Sequence, residues 1–264
     1  IVAAEHMTGF DTYAELERYV GGRPLLNRLA LQIKEKPDGT LKLRLITDLL
    51  RSQGNWFLRA PERIVLPRLI DAVEMALHIL DGIKADLSRG LITWDTEAEW
   101  GSADVKDAFF NIPVLPGDRR ATCYKVFERY YASDSLVFGA GPSPLIWGRF
   151  AAWMGRAAQG LFDFRELLIQ IYVDDPIWIA RGTPEERRRA TVVLLLFWQV
   201  FGFPFSWAKG QKGPEVQWIG ATLRVVNRGP RGKGVRVEVP KEKAFGLAQA
   251  AATFLEKNVV GRRD

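Results

Sequence analysis

Apolar and polar positions alternate over Leu29–Lys34 and again over Leu41–Ile46, the pattern of two strands with one apolar face. Between them Lys36-Pro37-Asp38-Gly39 has turn chemistry, so a β-hairpin with a basic tip is expected. The period becomes helical over Arg68–Leu80, after Pro61 and Pro67, where Leu69, Ile70, Val73, Leu77 and Leu80 form the expected buried stripe. A shorter helix-like run, Tyr13–Val20, closes on Gly21-Gly22. Ser143 and Pro144 make an N-cap and first-turn pair, predicting a helix across Leu145–Leu161. Leu167–Tyr172 and Pro176–Ala180 are β-type runs around Val173-Asp174-Asp175, which reads as a hairpin with two acids at its turn. Thr183 and Pro184 open another helix, with Glu185 and Glu186 in the first turn where the helix dipole favours them, and Gly202 ends it. Arg187, Arg188 and Arg189 are read as its solvated face. Val216–Val226 and Val235–Val239 are further β-type runs with Gly229–Gly234 as the turn, and Lys241–Leu255 is an Ala-rich helix. This irregular alternation predicts an α+β fold, a sheet backed by helices, rather than a doubly wound parallel one.

A chain of 264 residues, 47% hydrophobic and 26% charged, can bury a sizeable core in one large domain or two small ones. Its 37 Lys+Arg against 31 Asp+Glu leave +6, a balance that suits a polyanionic partner. Cys123 is the single cysteine, which excludes an intrachain disulfide and a cysteine metal cluster, and His6 and His78 are too scattered for a histidine site. Val192–Phe203, the most apolar stretch, is interrupted by Gln199 and Gly202 and falls short of the roughly 18 apolar residues of a membrane span. No signal peptide opens the chain, so an intracellular protein without a membrane partner is expected. Its start at Ile1-Val2 and its charged end, Arg262-Arg263-Asp264, suggest a segment of something longer.

Two carboxylate sites stand out, Asp104 in Ala103-Asp104-Val105-Lys106-Asp107 and the pair Asp174-Asp175, each at the end of a β-type run. Adjacent strands would bring them together, and acids crowded at one sheet edge repel unless a cation joins them. An all-oxygen donor set suits magnesium or manganese rather than zinc. Two such ions about 4 Å apart can activate a hydroxyl and steady a leaving oxygen, the chemistry of nucleotide addition. Asp-Asp in a hairpin turn is also a common solvated turn, and spacing alone does not separate the two readings.

The surrounding motifs separate them. Asp104-Val105-Lys106-Asp107-Ala108-Phe109-Phe110-Asn111-Ile112-Pro113-Val114 resembles the first palm motif of reverse transcriptases, and Tyr172-Val173-Asp174-Asp175 is similar to their Tyr-X-Asp-Asp hairpin. Phe138-Gly139-Ala140-Gly141-Pro142-Ser143-Pro144 resembles the turn and helix supporting template and incoming nucleotide. Phe201-Gly202-Phe203 with Lys209, then Trp218-Ile219-Gly220, resemble the later palm motifs, the second being the primer grip. Upstream, the run from Lys42 through Arg44 and Asp48 to Arg51 is similar to the fingers segment that reaches for triphosphate. Six motifs in the family order span roughly residues 30 to 225.

The resemblance implies a polymerase right-hand fold with an antiparallel palm sheet backed by helices. Residues 1–22 would be a leader, 23–98 fingers, 99–118 palm, 119–138 a fingers–palm connection, 139–235 palm, and 236–264 the start of a thumb or connection helix. It implies RNA-directed DNA synthesis with two Mg2+ or Mn2+ ions held by Asp104, Asp174, Asp175 and the carbonyl of Val105. Lys209 would be the general acid for the departing pyrophosphate. Arg44 and Lys34 or Lys36 would clamp the triphosphate, Asp107, Ala108 and Gly139 would line the nucleotide, and Phe109 would gate the sugar 2′ position. The implied partners are an RNA or DNA template with its primer, a dNTP, and ribonuclease H or integrase/recombinase domains of a larger polyprotein. Trp147, Trp153, Trp178 and Trp198 are assigned to packing.

Ile112-Pro113-Val114 and the valine of Tyr-Val-Asp-Asp resemble retroviral, long-terminal-repeat and tyrosine-recombinase retrotransposon enzymes. The sequence departs from the family in the acidic Asp95–Trp100 before the first aspartate, in Pro176 directly after the acidic pair, and in Gly141-Pro142. The rival reading is a degenerate or domesticated copy that binds nucleic acid without catalysis.

Overall fold

A computed structural model of the chain describes residues 6–35, 39–58, 62–227, 229 and 232–255. Lys36, Pro37, Asp38 and Pro61, singled out in the sequence, lie outside the described residues. The chain runs β1 (Met7–Phe10), α1 (Tyr13–Val20), β2 (Leu26–Glu35), β3 (Leu41–Asp48), α2 (Gly54–Phe57) and α3 (Leu69–Ser88). β4 (Glu97–Ser102), β5 (Cys123–Val126), β6 (Arg129–Ser133), α4 (Ser143–Gln159), β7 (Leu167–Tyr172) and β8 (Asp175–Gly182) follow. α5 (Pro184–Val200), β9 (Gln211–Gly213), β10 (Glu215–Trp218), β11 (Ala221–Asn227), β12 (Lys233–Glu238) and α6 (Lys241–Leu255) complete it. Mixed helices and sheets agree with the α+β expectation. No helix among the described residues is long and apolar enough to cross a membrane.

Two compact units divide the chain, the first built from residues 1–66 and 106–153, the second from 67–105 and 154–264. The first holds a five-stranded sheet in the order β1-β6-β5-β2-β3. Its β2–β5 contact is parallel and short, Leu26 opposite Cys123 and Asn27 opposite Tyr124. Beyond those two residues β2 pairs only with β3, from Arg28–Asp48 out to Glu35–Leu41, so the hairpin projects as a two-stranded ribbon. That explains a departure from the sequence pattern. The apolar face of the ribbon is not buried, and Leu31, Ile33, Leu41 and Leu43 stay between 55% and 60% exposed. Helix α1 is fixed by a Thr12–Glu15 capping box and by left-handed Gly21, and it buries Leu16 and Val20 against Cys123 and Ala132.

The second unit has a four-stranded antiparallel sheet, β7-β8-β4-β9, and a three-stranded antiparallel sheet, β10-β11-β12. Helix α3 packs Ala72, Met75, Ala76, Ile79, Leu80 and Ile83 into one core with Ala98, Trp100, Ile177 and Ile179. Its buried face is therefore turned by about a residue from the predicted stripe, and Ile70 and Leu77 are 48% and 40% exposed. Helix α3 is apolar on more than one side, and small Ala72 and Ala76 let it approach the sheet more closely than a leucine stripe would. The acidic β4 lies inside its sheet, between β8 and β9, because its charges are paired: Glu99 with Arg187 and Lys212, and Glu97 with Lys233. Arg187, read as solvated, is instead buried on Glu99 and on the Gly182 carbonyl. Gly101 has no side chain because the Trp178 ring lies over it, as close as 2.2 Å to where a Cβ would stand. Trp147, Trp178 and Trp198 are buried as expected, whereas Trp153 is 49% exposed.

The run Val216–Val226, read as one strand, is two. β10 and β11 fold back on each other with Trp218 opposite Ala221, and Ile219 and Gly220 make the turn with φ of 38° and 86°. Positive φ at both turn positions is the geometry of a two-residue hairpin.

Candidate active site

The acidic pair lies where β7 turns into β8, with Asp175 as the first residue of β8. Tyr172 pairs with Asp175, so Val173 and Asp174 form a two-residue turn, and Val173 takes a φ of 53°. A β-branched residue there is strained by about 1–3 kcal/mol, a cost carried by the strands that close the turn. Pro176 keeps the register, opposite Ile171, because β8 pairs with β4 only from Ile177 onward and the missing N–H lies beyond that ladder. Its carbonyl accepts the Ala103 N–H at 3.1 Å.

The segment leaving β4 is held against this turn. The Val105 N–H donates to the Asp174 carbonyl at 2.8 Å, and the Asp104 carbonyl accepts the Ser206 N–H at 2.9 Å. Val105 is 1% exposed and bridges Phe205. Asp104 thus stands between two backbone anchors, one from the acidic turn and one from the loop after α5. A cavity of about 130 Å³ opens beside it, with Ser102, Asp104, Asp175, Lys209, Gln217 and Trp218 in its wall. Two of the predicted acids share this wall, and the third, Asp174, joins through its backbone.

Lys209 ends a single 3-10 turn, Trp207–Lys209, and its Nζ lies 2.6 Å from each carboxylate oxygen of Asp104. Among the described residues, no three acidic, histidine or cysteine side chains are assembled as a metal cage; the cation on Asp104 is the lysine. The donors are nonetheless the hard oxygens that magnesium and manganese select, and Asp104 already holds positive charge with both of them. The residues fit such an ion.

Trp218 is 3% exposed, donates its indole N–H to the Asp175 carbonyl at 2.9 Å, and meets the Tyr172 ring edge-on at 6.2 Å. It therefore joins the acidic hairpin to the core of the second unit. Gln211 was not read from the sequence. Its amide both accepts the Gln217 N–H at 2.8 Å and donates to the Gln217 carbonyl at 3.0 Å, tying β9 to β10 within the cavity wall. Nothing in the residue pattern distinguishes such a glutamine from a solvated one.

The remaining predicted residues lie in the first unit. Lys34 and Arg44 are exposed on one face of the β2–β3 ribbon, since Lys34 pairs with Lys42 and Gln32 with Arg44. Lys36 lies outside the described residues. Asp107 has a φ of 52° and leads into the 3-10 turn Ala108–Asn111, which Asn111 closes by donating to the carbonyls of Lys106 and Asp107. The half-buried Phe109 ring sits 4.9 Å from Phe138. Gly139 follows with a φ of 101°, and a Cβ there would stand 2.0 Å from the Thr47 carbonyl oxygen. Asn55, which carries no motif, braces this turn by donating to the Gly139 carbonyl and accepting the Gly141 N–H.

No curated protein sequence matches the chain. The fold is similar to a foamy viral protease–reverse transcriptase solved with double-stranded DNA, at a TM-score of 0.56 and 16% identity over 89% of this chain and 33% of that one. It is also similar to a foamy viral protease–reverse transcriptase solved with an RNA/DNA hybrid, at a TM-score of 0.50 and 17% identity over 80% of this chain and 24% of that one. The chain therefore spans a third or less of the length of these structures. At such identity the likeness concerns the fold alone. In sequence, residues 49–223 match the family described as reverse transcriptase (RNA-dependent DNA polymerase), a span that holds Asp104, the Tyr-Val-Asp-Asp hairpin, Lys209 and Trp218 and covers more than half of the chain. The chain belongs to the reverse transcriptase family.

Proposed function

We propose that this chain carries out template-directed DNA synthesis, transferring nucleotidyl groups from dNTPs to a primer 3′-hydroxyl. The reading rests on the convergence of Asp104 and Asp175 in the wall of one cavity, with the Val105 N–H bonded to the Asp174 carbonyl. Asp104, Asp174, Asp175 and the Val105 carbonyl would hold two Mg2+ or Mn2+ ions. When bound, such ions supply Lewis-acid activation of a hydroxyl and charge neutralisation at a leaving phosphate.

Other residues of the chain have separate tasks. Lys209, whose side chain lines the cavity, would give a proton to a departing pyrophosphate. Arg44 offers a bidentate fork and Lys34 a point charge for the triphosphate. Asp107, Ala108 and Gly139 shape the nucleotide's surroundings, and Phe109, braced by Phe138, excludes a 2′-hydroxyl. Trp218 bonds the backbone of the acidic hairpin, and with the Ile219-Gly220 turn it would form the primer grip. The partners are a primed RNA or DNA template and dNTPs, an assignment supported by the nucleic-acid duplexes in the two foamy viral structures.

Primer extension on an RNA template with Mg2+ and dNTPs tests this. Asp104→Asn should reduce extension by about a thousandfold or more while the protein still binds primed template. A folded wild-type chain that binds primed template but adds no nucleotide would favour a nucleic-acid-binding module instead.

A further inference from the structure

The Lys209–Asp104 pair has a second meaning that its place beside the acidic turn makes testable. Both carboxylate oxygens of Asp104 face the same ammonium at 2.6 Å. A divalent ion on Asp104 needs lone pairs of those same oxygens, and it repels the ammonium. Lysine and ion are therefore competitors for one carboxylate.

We infer that Lys209 is a cation placeholder: it occupies Asp104 until a divalent ion displaces it, and displacement frees its ammonium for an anionic ligand. This rests on the proposed metal-dependent function and adds an order to it, ion first and phosphate contact second. The two partners differ in their freedom to move. The Asp104 carbonyl is pinned by Ser206 and the adjoining Val105 N–H by Asp174, and the Asp104 side chain is only 20% exposed. Lys209 is 56% exposed, sits at the end of a one-turn element, and has a four-carbon stem with many rotamers. The lysine is the member that leaves. A pair whose lysine is more than half exposed loses that partner to solvent at modest cost, unlike a fully buried ion pair, whose separation strands a charge. Lys209 lines the cavity of about 130 Å³ beside Asp104 and Asp175, so an ammonium released from Asp104 remains at that cavity.

Manganese titration of the protein alone, without nucleotide or nucleic acid, tests this by the electron paramagnetic resonance of free Mn2+. Lys209→Met should tighten Mn2+ binding by roughly tenfold, because it removes both the competing hydrogen bonds and the repelling charge. Lys209→Arg keeps the charge and should bind as weakly as the wild type. If Lys209→Met leaves the affinity unchanged or weaker while Asp104→Asn abolishes binding, the placeholder is overturned and the metal site stands. If Lys209→Arg tightens binding as much as Lys209→Met, charge competition is overturned. If Asp104→Asn leaves Mn2+ binding intact, the metal-site reading itself falls. Circular dichroism and thermal melts establish that each variant is folded.

Discussion

The indole N–H of Trp218 donates to the carbonyl oxygen of Asp175 at 2.9 Å, so a buried aromatic of one hairpin fixes the backbone of an acid on another. Trp218→Phe keeps most of the apolar volume and loses the donor. It should lower stability by about 1 kcal/mol, a drop in Tm of roughly 2–4 °C. Primer extension should fall more steeply, by about tenfold, because the acid it steadies is one of those that would hold metal. A matched thermal melt and extension assay separates the two effects, and equal, small losses in both would reduce Trp218 to packing.

Gly139→Ala should destabilise the protein by more than about 2 kcal/mol, because it combines a left-handed backbone position with a Cβ only 2.0 Å from the Thr47 carbonyl oxygen. The flexible end of a side chain gives way in such a contact; a backbone carbonyl that accepts the Leu49 N–H, next to an N–H bonded to Phe138, does not. Urea denaturation measures the loss as a lower midpoint. Gly117→Ala, where a Cβ meets open space, is the control and should change little.

The Arg181 guanidinium, bonded at 2.6 Å to the carboxylate of Asp86, holds that carboxyl below its usual range. A depressed folded-state pKa means that the unfolded chain takes up the proton first. The stabilisation is thus present above the ordinary aspartate value of about 3.9 and is lost as pH falls through the lower folded value. Melting temperature measured from pH 7 down to pH 3 should decline, and Asp86→Asn should flatten the acid end of that profile while lowering the plateau. A profile of unchanged shape would remove this pair from the acid response.

Phe109→Ala should raise incorporation of ribonucleotides relative to deoxynucleotides by about ten- to a hundredfold, since a ring braced by Phe138 is replaced by a methyl group. Single-nucleotide extension with matched rNTP and dNTP gives the ratio directly. Unchanged discrimination would take the gate role from Phe109.

Much of the second unit was legible from its residues. Leu167–Tyr172 and Lys241–Leu255 form the predicted strand and helix with the predicted ends, and Thr183 caps α5. These segments carry local signals: period, caps and turn residues. What was missed depends on partners distant in the chain. Glu97 and Glu99 argue against an interior strand until Arg187, Lys212 and Lys233 arrive to pair them. Whether the apolar side of Leu41–Ile46 is covered depends on how far β5 follows β2, which the alternation does not encode. At the candidate site, the motifs pointed to Asp104, Asp174 and Asp175, whereas the ammonium on Asp104 and the two glutamine contacts in the cavity wall follow only from the fold.

The first sheet also has a consequence for biogenesis. Its outer strand is paired Met7 with Ser133 through Phe10 with Tyr130, and its unit resumes only at residue 106. During translation the opening strand must wait for more than a hundred further residues before its mate emerges from the ribosome, with the intervening 67–105 belonging to the other unit. Pairings between such remote positions are slow to find one another. The edge pairing of this sheet is therefore among the last contacts of the first unit that synthesis makes possible.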